Sequence, residues 1–244
     1  MTALHLSPSL PEHFLAGSLL LVDKPKGWTS FDVVNKLRYR LRTLTGVKRV
    51  KVGHSGTLDP MATGLLLIAT GKATKQLTGL TGLPKVYDGT ICFGESTPSY
   101  DAETDADATA PTAHLTVELL RRLVAERFTG EIEQQPPVFS AIKVDGKRAY
   151  KSARAGQEVA MPTRRVVVSR FDITGFGESR ADFVVACSKG TYIRSLAHDL
   201  GIAADSRAHL CALRRTAIGD YKLSSARSVD AITGQLDALI AQRH

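Results

Sequence analysis

Apolar runs of strand length, gathered in neighbouring pairs with a few helical-period segments between them, constrain this 244-residue chain more than any other feature. Leu19–Val22 closes on the turn-forming Asp23-Lys24-Pro25-Lys26-Gly27, and Leu65–Ala69 closes on Thr70-Gly71. Lys85–Phe93, Val166–Ile173, Asp182–Ser188 and Leu210–Ile218 read as further strands, and Val138–Val144 followed by Asp145-Gly146 reads as half of a hairpin. Phe31, Val34, Leu37 and Leu41 recur at helical spacing behind Ser30 as N-cap, which turns Lys36, Arg38, Arg40 and Arg42 outward. A second helix is expected from Thr116 to Phe128, with Gly130 as its stop. A short helix is expected over Tyr150–Ala155, and another from Thr191 to Gly201 with Ile193, Leu196 and Leu200 inward. Because strands and helices do not alternate strictly, the pattern predicts an α+β fold with a central, mostly antiparallel mixed sheet flanked by helices and loops.

A hydrophobic share of 43% is ample for a large core, and repeats and low-complexity tracts are absent. The first 17 residues lack a basic region followed by an apolar run, and no apolar run approaches the roughly 18 residues a bilayer needs. A cytoplasmic protein without a membrane partner is expected. No GxGxxG or Walker loop occurs, which counts against nucleotide-cofactor folds.

Lys and Arg exceed Asp and Glu by eight, a balance that favours a polyanionic partner through counterion release. The excess is uneven. Residues 131–170 carry Lys143, Lys147, Arg148, Lys151, Arg154, Arg164, Arg165 and Arg170 against four acids, whereas Asp101, Glu103, Asp105 and Asp107 read as a solvated acidic loop. Cys92, Cys187 and Cys211 are odd in number, widely spaced and without a CxxC pair, which argues against a disulfide framework and a zinc ribbon. His209 and Cys211 read as a surface histidine and a packed cysteine in place of a metal site.

The most informative segment is Val52-Gly-His-Ser-Gly-Thr-Leu-Asp-Pro-Met-Ala-Thr-Gly64, a glycine-rich loop whose backbone can approach a ligand closely. Pro60 restricts Asp59 to extended conformations, which fixes where its carboxylate points. Taken locally, this is an Asp-Pro turn. Five other segments accompany it: Lys24-Pro-Lys-Gly-Trp-Thr-Ser30, Lys85-Val-Tyr87, Gln135-Pro-Pro-Val-Phe-Ser-Ala-Ile-Lys143, Cys187-Ser-Lys-Gly-Thr-Tyr-Ile-Arg194, and Leu213-Arg-Arg215.

In this order and over roughly residues 18 to 220, these segments resemble the TruB-type pseudouridine synthases, whose core pattern is G-H-x-G-x-L-D-P-x-A-x-G. The resemblance implies a single pseudouridine synthase catalytic domain over 1–244 with a thumb-like RNA-binding insertion at about 131–160. It implies isomerisation of uridine 55 in the tRNA T-loop, with no cofactor and no metal, by a monomer that contacts T-loop and stem and needs no obligate protein partner. The residues after Ile218 are too few for the C-terminal PUA domain of many members, so none is expected. The segment after Gly94 departs from the family's commoner T-D-T-x-D pattern, so nothing is carried over to it.

Position by position, the resemblance makes Asp59 the catalytic aspartate, Tyr87 the base-stacking and proton-abstracting tyrosine, and Arg194 the arginine that pairs with Asp59. His54 corresponds to the residue that fills the space left by a flipped uridine, and Tyr192 and Leu213 to pocket-lining residues. Lys143, Lys147, Arg148 and Arg154 fall in the insertion that clasps the RNA, while Lys24, Lys26, Lys85 and Lys189 are candidate phosphate contacts. The rival from another class is a non-catalytic tRNA-binding or tRNA-folding protein. Asp59, Tyr87 and Arg194 occurring together speak against it.

Overall fold

A computed structural model describes residues 10–140, 142–144, 147–149 and 160–242. In chain order the elements are α1 (Pro11–Ala16), β1 (Leu19–Lys24), α2 (Ser30–Thr45), β2 (Val52–His54), β3 (Thr63–Thr70), a 3-10 turn (Gly71–Gln76), α3 (Leu77–Gly82) and β4 (Lys85–Phe93). There follow β5 (Glu95–Ser96), β6 (Ala108–Thr109), α4 (Val117–Arg127), β7 (Gly130–Gln134), β8 (Lys143–Val144), β9 (Lys147–Arg148), β10 (Arg164–Gly177) and β11 (Arg180–Cys187). The chain ends with α5 (Ile193–Ala203), β12 (Ala208–Ile218), β13 (Tyr221–Lys222), β14 (Arg227–Ser228) and α6 (Val229–Ala241). The fold is α+β, with mixed but mainly antiparallel strands flanked by helices, as the sequence predicts. Among the described residues no helix is long and apolar enough to cross a membrane. Two compact units are present: Met1–Lys85 with Arg214–His244, and Val86–Leu213.

The first unit is organised by β3. Its side chains alternate between faces, so Leu66 and Ile68 enter one core with α2 and α6, while Leu65, Leu67 and Ala69 enter another with Leu19, Ala73, Leu80 and Ile218. β1 pairs antiparallel with β3 and parallel with β14, and β2 pairs antiparallel with β3. Arg214 and Arg215 of β12 pair in parallel with Thr63 and Gly64.

α2 begins one residue earlier than expected. Thr29 is the N-cap, in a capping box where its side chain accepts from the Asp32 amide and Asp32 accepts from the Thr29 amide. The buried face is Val33, Val34, Leu37, Leu41 and Leu44. Phe31, expected in the core, is 57% exposed, because it lies roughly 100° of helical rotation past buried Ser30; its ring sits beneath the Arg38 guanidinium.

In the second unit the strand order is β4-β11-β10-β7. β10 and β11 form a hairpin whose turn residues, Glu178 and Ser179, both have positive φ, the geometry that matches strand twist in two-residue turns. α4 starts behind the expected cap, Thr116, whose side chain accepts from the Leu119 amide, and ends at Arg127 with Phe128 as its C-cap. Gly130, read as a helix stop, opens strand β7 instead, since its partner is β10 and pairing is not visible in local sequence. The hairpin expected near Asp145-Gly146 is present as β8 and β9, although it begins at Lys143 and not at Val138. The helix expected over Tyr150–Ala155 lies outside the described residues.

Candidate active site

Within the first unit, the loop carrying Asp59 is tied down on both sides. The Leu58 amide donates to Ser30 Oγ at 2.8 Å, and the Gly27 amide donates to the Pro60 carbonyl at 2.8 Å. Arg215, 1% exposed, donates from Nε to the Leu65 carbonyl at 2.7 Å and from Nη2 to the Gly56 carbonyl at 3.2 Å. Gly64 (φ 102°) permits the close approach of β12, because a Cβ there would lie 2.4 Å from the Arg215 carbonyl oxygen. Asp59 is half-buried, and its own carbonyl accepts from the Ala62 amide. A carboxylate whose chain neighbours are fixed by three elements is pre-organised for work at one position.

His54 ends β2, opposite Ile68, and is half-buried. Burial, with the positive charge of Arg215 adding to it, holds its imidazole pKa below the usual value, although the Gly56 backbone acts in the opposite sense. Its ring is therefore neutral near pH 7.

Lys24 and Lys85 correct the expectation of phosphate contacts. Lys24 is fully buried and its Nζ donates to the carbonyls of Pro25 and Trp28, bracing the turn that presents Gly27 and Ser30. Lys85 is 6% exposed and donates to the carbonyls of Thr81 and Leu83. Buried ammoniums satisfied by carbonyls serve the fold. Lys26 and Lys189 are exposed.

Within the second unit, Arg194 lies on α5, 5% exposed. Its Nη1 donates to the Ser99 carbonyl at 2.8 Å and its Nη2 to the Phe139 carbonyl at 3.1 Å. Its Nε faces Asp101 Oδ2 at 3.5 Å. Asp101 is 1% exposed and accepts from the Ser99 hydroxyl and the Glu103 amide, so it is no part of a solvated acidic loop; Glu103, Asp105 and Asp107 are exposed as expected. Sequence reading missed Asp101 because its buried partner lies 93 residues ahead. The signal was Ser99 two residues before Asp101, a hydroxyl placed to donate to the carboxylate, with the Thr97 hydroxyl donating to the Asp101 backbone carbonyl.

Gln134 fixes Tyr192 at the start of α5 through a paired contact, its side-chain nitrogen donating to the Tyr192 carbonyl and its oxygen accepting from the Tyr192 amide. The Tyr192 ring lies under the Arg164 guanidinium, 5.3 Å away. Tyr87 on β4 and Leu213 on β12 are buried, at 8% and 9% exposure. Arg154 and the side chains of Lys143, Lys147 and Arg148 lie outside the described residues; the backbones of the last three form the β8–β9 hairpin, with Lys143 opposite Arg148.

His209 is 5% exposed and so not the surface histidine expected. Cys92 and Cys211, 119 residues apart, are joined in a disulfide with a Cα separation of 5.9 Å, a pairing that no local spacing announced.

An Asp-Pro loop in the first unit is fixed by a serine and a buried arginine, and the second unit holds a buried arginine–carboxylate pair. The sequence profile of the TruB family pseudouridylate synthases (N-terminal domain) matches residues 42–193, and the chain belongs to that family. It is 52% identical over 217 residues to tRNA pseudouridine synthase B of Flavobacterium johnsoniae, covering 88% of this chain and 94% of that protein. It is 48% identical over 225 residues to tRNA pseudouridine synthase B of Phocaeicola vulgatus, covering 92% and 95%. A chain in the crystal structure of a Cbf5–Nop10–Gar1 complex is 27% identical with a TM-score of 0.63; the match covers 93% of this chain and spans 60% of that one.

Proposed function

We propose that the protein converts uridine 55 in the T-loop of tRNA to pseudouridine, with Asp59 as the catalytic carboxylate. The observation that carries this reading is the tethering of the Asp59 loop by Ser30, Gly27 and Arg215 in a member of this family. The uridine leaves its stack, and the neutral ring of His54 takes up the space it vacates. The N1–C1′ bond breaks, and Asp59 meets the positive charge that develops on the ribose, by electrostatic stabilisation or by attack on the sugar. The uracil turns and a C5–C1′ bond forms. The C5 proton passes to the Tyr87 oxygen as the phenol's own proton leaves to solvent, and N1 takes a proton from solvent. Atoms and electrons balance without a redox partner.

Arg194, held by Ser99, Phe139 and Asp101, is the arginine that orients Asp59, and Tyr192 and Leu213 line the base pocket. The segment at about 131–160 is the RNA-clasping insertion, with Lys143, Lys147, Arg148 and Arg154 toward the tRNA. The net charge of +8 supports a polyanionic partner. The enzyme acts as a single cytoplasmic chain with no obligate protein partner.

The test is tritium release from C5-labelled uridine in an unmodified T-loop transcript, with chelator present and no nucleotide. Release by wild type and none by Asp59→Ala, which still retains the RNA on a filter, is the expected result. Equal release by both would overturn the role of Asp59, and retention without release by wild type would favour a tRNA-binding protein.

A further inference from the structure

We propose that, once the Cys92–Cys211 disulfide is reduced, Cys92, His209 and Cys211 bind a structural zinc ion, with Glu95 as the fourth ligand. The ligand atoms of Cys92, His209 and Cys211 all lie within 4.8 Å of one another. At tetrahedral angles two ligand atoms on one zinc ion sit about 3.8 Å apart, so after reduction the two sulfurs must part from bonding distance to that spacing while the imidazole closes in, a movement that side-chain rotation at the two cysteines can supply. His209 and Cys211 are two apart on β12 and therefore project to the same face. Cys92 comes from β4, the neighbouring strand, and the Cys211 Sγ and His209 Nε2 are already 3.4 Å apart.

A disulfide alone gives no reason for the imidazole to be so placed. His209 Nδ1 lies 3.2 Å from the Glu95 carbonyl oxygen, which can only accept, so Nδ1 carries the hydrogen and the lone pair of Nε2 faces the sulfurs. Metal-binding histidines are oriented in this way, by a carbonyl on the far nitrogen. The Glu95 carboxylate lies 4.0 Å from the same Nε2 and is exposed enough to swing onto the ion. Two thiolates, an imidazole and a carboxylate suit zinc, and in a reducing compartment the thiols are the prevailing form.

The chemistry balances. A dithiol or phosphine reductant supplies two electrons and is itself oxidised, and each cysteine gains a proton. Zinc then displaces both thiol protons to solvent as two Zn–S bonds form. The ion would clip β4 and β5 to β12 beside Leu210, whose backbone is paired with Tyr100 and Ala102 around Asp101. It would brace the carboxylate that faces Arg194 and stay out of the reaction.

The test is an anaerobic Co2+ titration of the reduced and oxidised full-length protein, followed by competition with Zn2+. The reduced protein is expected to take up one Co2+ per chain with the strong visible bands of tetrahedral thiolate coordination, displaced by Zn2+, and the oxidised protein to show none. Cys211→Ser, Cys92→Ser and His209→Gln are each expected to weaken binding by at least about 100-fold, and Cys187→Ala to leave it unchanged. Circular dichroism confirms that each variant is folded. Weak octahedral bands in the reduced wild type, unchanged affinity in folded His209→Gln, or a crosslink that survives reductant would each overturn the proposal.

Discussion

Ser30 and Leu58 exchange hydrogen bonds: the Leu58 amide donates to Ser30 Oγ at 2.8 Å, and the Ser30 hydroxyl donates to the Leu58 carbonyl at 3.2 Å. Both residues are buried and Leu58 precedes Asp59, so the position of the carboxylate is set from the first turn of α2. Ser30→Ala leaves the Leu58 amide without its acceptor, a loss of about 1–3 kcal/mol. Urea unfolding is expected to show a lower midpoint at unchanged slope, with kcat reduced more than RNA affinity. An unaltered midpoint and kcat would show that Ser30 does not hold the loop.

Arg215 ties the same loop from β12, with donors to the carbonyls of Leu65 and Gly56. Arg215→Met removes a charged donor from both and is expected to cost about 3 kcal/mol of stability. Arg215→Lys should restore only part of this, since one ammonium cannot reproduce the planar fork. Thermal melts of the pair check it, and equal melting temperatures for Lys and Met would count against the fork geometry.

Asp101→Asn removes the negative charge that faces Arg194 where both side chains are nearly water-free, 1% and 6% exposed. Arg194 then loses part of its orientation, and the rate of the chemical step is expected to fall roughly 100-fold, the scale at which small misplacements act. Single-turnover kinetics with saturating enzyme separates this from weaker binding. A fall in affinity alone would contradict it.

How far the fold was readable depended on how local its causes are. β1, β3, β4, β10, β11 and β12 announce themselves as apolar runs, and α2, α4 and α5 as stripes of helical period. α6 was not anticipated, although Ser228 caps it and Val229, Ile232 and Leu236 carry its buried stripe. The site residues divide along the same line. Asp59 is legible from its motif, and the carbonyls that hold buried Lys24 lie only one and four residues ahead, but the burial of Asp101 and His209 is decided by an arginine and a strand edge distant in sequence, which no window of local pattern contains.

Asp199 gives a dependence on pH. Burial raises its carboxyl pKa to about 6, against 3.8 as the ordinary value. The folded state therefore holds this proton through a window in which the unfolded chain has released it. The contribution to stability is full below about pH 4, falls as pH rises to about 6, and stays low above that. Asp199→Asn is expected to be more stable than wild type at pH 8 by about 2 kcal/mol, the difference fading toward pH 4. Denaturant unfolding at the two pH values checks the sign; a stabilisation that grows on acidification would contradict it.

The most direct measurement is a single-turnover comparison of wild type and Asp59→Asn on one unmodified tRNA, with pseudouridine 55 quantified by mass spectrometry after chemical derivatisation. The substitution keeps the size of the side chain and removes its charge. Formation of pseudouridine at position 55 by wild type, a rate lower by roughly 10⁴-fold in Asp59→Asn and an unchanged Kd for the tRNA are the predicted results. Comparable rates in the two proteins would contradict the assignment of residue 59.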